Sequence, residues 1–144
     1  MTMKPGLARA LRRFVGTMVM LVGGQAGIYR LLYPPPAFPQ ASADRVVVEA
    51  NGSVHEIRDP AAVRRLVAFI RAPKEHGGLR MPHYMHLPND AGSAVFYRGE
   101  QAQVRIVWVT RLIVLPAARN RDVWYFLSPR EGAELQRLMG GNTR

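Results

Sequence analysis

The feature that most constrains this chain is the uncharged run from Phe14 to Ile28, which follows the cations Lys4, Arg9, Arg12 and Arg13. If the helix it predicts continues through Tyr33, the span is 20 residues long. At about 1.5 Å per residue that is about 30 Å, the thickness of a bilayer's hydrocarbon core. Arg30 lies close to one end, where a long side chain snorkels to the headgroups, and Tyr29 and Tyr33 suit the interface. Pro34-Pro35-Pro36 stops the helix, because proline lacks the amide donor and clashes with the preceding turn.

Orientation follows from the cations. Four precede the run and one lies near its far end, so the positive-inside rule places the N-terminus in the cytoplasm. Residues 34 onward are then expected on the non-cytoplasmic side of the inner (plasma) membrane, in the periplasm of a bacterium. The preferred reading is an uncleaved single-pass signal anchor over 14–33. The alternative is a cleaved signal peptide, with Gly24-Gln25-Ala26 or Ala41-Ser42-Ala43 as the small-residue cut site.

Charge divides along the same boundary. Residues 1–43 carry five cations and no acid, and residues 44–144 carry fifteen cations and ten acids. Each part is therefore +5, and half of the formal +10 belongs to the leader. A pI near 11.2 ordinarily suggests nucleic acid, but the leader accounts for much of it. Tyr97, Arg105, Trp108, Arg111, Trp124 and Tyr125 offer the parts of a base-stacking platform. Aromatics in a core and arginines on a solvated face explain them better, and nucleic acid is not the expected partner. Cysteine is absent, which excludes disulfides, thiolate nucleophiles and thiolate-ligated metals.

Residues 34–44 read as a stiff proline-rich linker, and residues 45–141 as one domain. Within it Arg45–Ala50 and Ser53–Arg58 flank Asn51-Gly52, a strong hairpin signal. Ala50 opposite Ser53 sets Val48 against His55 and Val46 against Ile57. Asp59-Pro60 opens a helix whose Val63, Leu66, Val67 and Ile70 form one apolar stripe. The composition of residues 72–92 predicts a long loop. Strands are expected at 93–98, 103–115 and 122–127. The final helix starts at the capping box Ser128-Pro129-Arg130-Glu131, packs through Leu135, Leu138 and Met139, and ends at Gly140-Gly141. The expected class is α+β: a ββα-βββα domain with an antiparallel sheet and both helices on one face.

No nucleophile elbow, phosphate-cradling glycine loop, H-E-x-x-H pair or dinucleotide fingerprint occurs. The one chemical hint is the loop, where His76, Met81, His83, Met85 and His86 fall within eleven residues. Thioether and imidazole together suit Cu(I), so Met81, His83, Met85 and His86 are the candidate metal ligands and copper the candidate cofactor. The leading functional expectation requires no cofactor. It is a membrane-anchored, non-enzymatic binding or accessory module that meets a protein partner, with periplasmic copper binding as the alternative.

Overall fold

In this computed structural model the described residues are 31–82, 87, 91–118 and 121–140, with Val15, Thr17, Gly24, Gln25 and 27–29 of the leader. The chain divides into two units, residues 1–35 and Pro36–Arg144. In the first, the described residues from Val15 to Leu32 are helical, and the Tyr33 N–H donates to the Tyr29 carbonyl at 2.8 Å. Among the described residues no helix is long and apolar enough to cross a membrane. Much of the 14–33 span lies outside the described residues.

The second unit is α+β, as expected, with more strands than the sequence suggested. Asn51 and Gly52 adopt φ of 51° and 73°, the left-handed region a tight hairpin turn requires. They join β1 (Arg45–Ala50) to β2 (Ser53–Ile57) in the expected register, Val48 facing His55 and Val46 facing Ile57. The Asp59 carboxylate accepts the Ala61 and Ala62 amides and starts α1 (Pro60–Arg71), whose Val63, Leu66, Val67 and Ile70 are all buried. The chain continues through β3 (Gly78–Pro82), β4 (Gly92–Arg98), β5 (Gln101–Val109), β6 (Leu112–Ala117) and β7 (Arg121–Phe126) to α2 (Pro129–Leu138). One seven-stranded antiparallel sheet results, in the order β2-β1-β4-β5-β6-β7-β3.

Two expectations are corrected. The 72–92 segment is not wholly loop, because Gly78–Pro82 pairs with β7 and forms one edge of the sheet. The single strand expected at 103–115 is two, β5 and β6, which fold back at Thr110-Arg111 with Val109 facing Leu112. The element order is therefore ββα-βββββα.

Strand pleating sends alternate side chains to opposite faces. Val46, Val48, Ala94, Phe96, Val104, Ile106, Trp108, Ile113 and Leu115 point to one face and share a core with the α1 stripe, Leu135 and Met139. Both helices thus cover the same face, as the sequence predicts. Glu131 fastens them together. Its carboxylate accepts the Ser128 N–H at 2.8 Å, completing the capping box, and the Glu75 N–H beyond α1 at 3.4 Å.

The proline-rich segment packs on the domain from Pro36 onward. The Ala37 N–H donates to the Pro116 carbonyl at 2.8 Å, and Arg71 Nη1 donates to the Pro39 carbonyl at 3.2 Å. Pro39 is fully buried, and Phe38 and Ala43 join the core.

Candidate functional site

Among the described residues of this unit α1 and α2 pack on one face of the sheet, and the strand registers order the side chains of the other. Val54 faces Glu49, Glu49 faces Ser93, and Ser93 faces Val107. Val107 in turn faces Val114, which faces Trp124, which faces Leu79 at the far edge. One row therefore crosses every strand and changes character midway. Beside its apolar half lie Val109, Leu112 and Phe126, also in register. Leu79 is 52% exposed and Phe126 46%, both large for apolar side chains. Trp124 is half-buried, and its enclosed indole N–H has no acceptor among the described residues.

The polar half holds a shallow cleft of about 360 Å³ between the Asn51-Gly52 turn and the start of β4. Glu49, Ser93, Arg105 and Val107 line it. Ser93 is buried and its hydroxyl accepts a hydrogen bond from Arg105 Nη2 at 3.1 Å. Among the described residues no carboxylate pairs with Arg105 and no cation with Glu49. The cleft thus presents one positive and one negative group from separate strands. It is equipped to bind a polar or charged group, and the adjacent half to bury apolar surface.

Several charges elsewhere have structural work. Arg45 lies 4.2 Å over the Tyr97 ring and pairs with Glu56 at 3.1 Å and Glu100 at 3.6 Å, while Arg58 pairs with Glu56 at 2.9 Å. Hydrogen bonds from Arg58 and then Arg45 hold the Glu56 carboxyl below its ordinary pKa, and the bond to Glu56 raises that of Arg45. These groups clip β1 to its neighbours. Lys74 donates to the Phe69 and Ala72 carbonyls at the end of α1 and lies 4.3 Å over the Phe69 ring. Its partial burial lowers its pKa, against the pull of Glu131.

Of the candidate copper ligands, Met81 is half-buried on β3 and faces Asp122. His83, Met85 and His86 lie outside the described residues. Among the described residues no three His, Cys, Asp or Glu side chains gather as metal ligands would. The supposed stacking platform does not share a surface. Trp108 and Tyr125 pack with the helix-covered core. Arg105, Trp124 and Tyr97 take the opposite face, where Tyr97 lies under Arg45, and Arg111 Nε donates to the Leu127 carbonyl at 3.1 Å.

The grouping of Glu49 and Ser93 with Arg105, which the sequence offers only as a stacking residue, is not visible in the sequence, since no motif joins them. Strand alternation, which sets Arg105 opposite in parity to Val104 and Ile106, was the only signal pointing to their face. Comparisons with protein-family models, curated proteins and solved structures return no match. The reading of this face therefore rests on its own geometry.

Proposed function

We propose that this chain is a membrane-held binding module. Its N-terminus is cytoplasmic, residues 14–33 sit in the inner (plasma) membrane, and the domain from Pro36 onward lies on the non-cytoplasmic side. There the helix-free sheet face meets a protein partner without catalysing a reaction. Support for the anchor comes from the basic cluster ahead of an uncharged run. The described helical residues of the leader also expose Val15, Ile28, Leu31 and Leu32, apolar side chains that need a cover other than water.

The observation that carries the binding role is the division of the helix-free face. An apolar half with exposed Leu79 and Phe126 adjoins a polar half with Arg105 and Glu49. Protein interfaces combine these parts, an apolar centre that is desolvated and a polar margin that fixes register. The test is crosslinking and recovery of tagged full-length protein from its native membrane, beside the double variant Leu79→Asp, Phe126→Asp. The wild type is expected to hold a specific partner that the variant loses, with the unfolding midpoint retained. Partner recovery unchanged by the two substitutions would assign binding elsewhere, and the absence of any specific partner would refute the role itself.

A further inference from the structure

The two small-residue triplets that suit leader cleavage are not equivalent, because one lies within the folded domain. Both residues flanking the Ala43–Asp44 bond are fastened. The Ala43 side chain is 9% exposed and belongs to the core, and its N–H donates to the Gln40 carbonyl at 3.1 Å. The Asp44 N–H donates to the Tyr97 carbonyl at 2.9 Å, and its carboxylate accepts the Gly99 N–H at 2.7 Å.

The chain just upstream is equally tied. Arg71 holds the carbonyl of the buried Pro39, and Pro116 accepts the Ala37 N–H. A register shift between Phe96 and Tyr97 sets Phe96 against Val104 and Tyr97 against Ala102, leaving Gln103 as the extra residue of a bulge. The Gln103 amide reaches Gln40 Oε1 and Ser42 Oγ, at 3.4 Å each. The bulge therefore aims a side chain at this segment.

We infer that residues 36–44 are a permanent strap of the domain, that they shield the Ala43–Asp44 bond from processing, and that any release from the membrane occurs upstream of Pro36. A peptidase takes its substrate in extended form, with several residues on each side of the scissile bond drawn into its cleft. The strap must leave the domain before that happens. Leaving uncovers Pro39 and Ala43 and breaks both Asp44 contacts, so the opening is a cooperative event rather than the fraying of a loop tip. Cleavage then follows the opened population. A cut at Gly24-Gln25-Ala26 leaves the strap in place. The biological meaning of this inference rests on the leader reading above; the shielding does not.

The experiment is limited digestion of purified full-length protein in detergent with elastase, which cuts after small residues, followed by N-terminal sequencing. Products of the native chain are expected to begin at or before Pro36. In urea the same enzyme is expected to produce chains beginning between Phe38 and Asp44, which shows that the sequence itself is a substrate. Arg71→Ala, which leaves the strap sequence intact, is expected to speed native cleavage there by about tenfold, the weight of one charge-assisted bond. Native cleavage between Phe38 and Asp44 at the urea rate, with tryptophan fluorescence still native, overturns the inference. So does a mature terminus at Asp44 on a folded domain from cells. An intact chain in the cytosol refutes the membrane reading instead, and the digestion still decides the strap.

Discussion

Gly132 tests how closely α2 seats against the β5–β6 turn. It is the fourth helical residue after the Ser128 cap, and its N–H closes the first turn onto the Ser128 carbonyl at 2.9 Å. In ordinary helix surroundings Gly→Ala gains about 0.5–1 kcal/mol, because alanine loses less backbone entropy. Here the added Cβ would stand 2.8 Å from the Thr110 carbonyl oxygen and 3.3 Å from Arg111 Cγ. Even a close carbon–oxygen contact is about 3.3–3.6 Å. The β5–β6 turn cannot easily retreat, since the Leu127 N–H donates to the Arg111 carbonyl at 2.8 Å and Arg111 Nε returns a bond to the Leu127 carbonyl. Overpacking of this kind costs about 1–3 kcal/mol. The steric term wins, and Gly132→Ala is expected to destabilise by about 1 kcal/mol net. Urea unfolding followed by the fluorescence of Trp108 and Trp124 measures it. With a slope of about 1–3 kcal/mol/M the midpoint falls by about 0.3–1 M. A midpoint that rises would show that helix propensity prevails and that α2 does not seat against this turn.

Three further perturbations probe other joints. Burial pushes the Glu131 carboxyl up, but the Ser128 and Glu75 amides, the Ser128 hydroxyl and Lys74 together outweigh it and leave its pKa below the ordinary value. A depressed carboxylate stabilises the fold above its unfolded pKa, near 4.3, and loses that contribution as pH falls through the folded value. Glu131→Ala should therefore cost about 1 kcal/mol at neutral pH, with the gap to wild type closing below about pH 4; thermal melts across pH 3–7 that show a constant gap contradict this. Gly52→Ala forces a side chain into φ of +73° and is expected to cost about 1–2 kcal/mol, with amide exchange accelerated in β1 and β2. Gly92→Ala would drive a Cβ into the Trp108 ring, displacing a core aromatic at a cost of about 1–3 kcal/mol and red-shifting the native fluorescence.

How far the fold was legible depends on whether local chemistry settles each element. The Asn51-Gly52 hairpin, the Asp59 cap with its apolar stripe and the Ser128 capping box are short-range devices, and each stands where the sequence puts it. β3 has no such device. Gly78 opens it and Pro82 closes it, so intrinsic preference argues against a strand. It is one because β7 supplies the ladder, a partner distant in sequence. The β5–β6 turn was hidden for a related reason. Thr110 and Arg111 are not turn-formers, and among the described residues Asn51 alone of the non-glycines has positive φ. The usual glycine or asparagine signature is therefore not needed there. What fixes that turn is again remote, the bond from the Leu127 N–H to the Arg111 carbonyl.

The same distinction governs the candidate site. Met81, His83, Met85 and His86 drew attention because they are near in sequence, and nearness is the one relation a sequence displays directly. Glu49, Ser93 and Arg105 meet only through the pairing of β1 with β4 and β4 with β5. The first of these pairings spans a helix and both edge strands, so no turn chemistry announces it. A one-residue slip in either would send Ser93 to the helix-covered face and dissolve the cleft. The strap is an intermediate case. Its prolines announce an extended segment, because polyproline geometry makes no internal hydrogen bonds. That geometry also leaves every carbonyl and remaining amide to be satisfied elsewhere. Here Arg71 and Pro116 do so, from α1 and β6, which turns a segment that reads as a spacer into part of the core's cover. Composition marks residues 34–44 as chain outside helix and strand, and it says nothing of their attachment, since attachment belongs to the surface they meet.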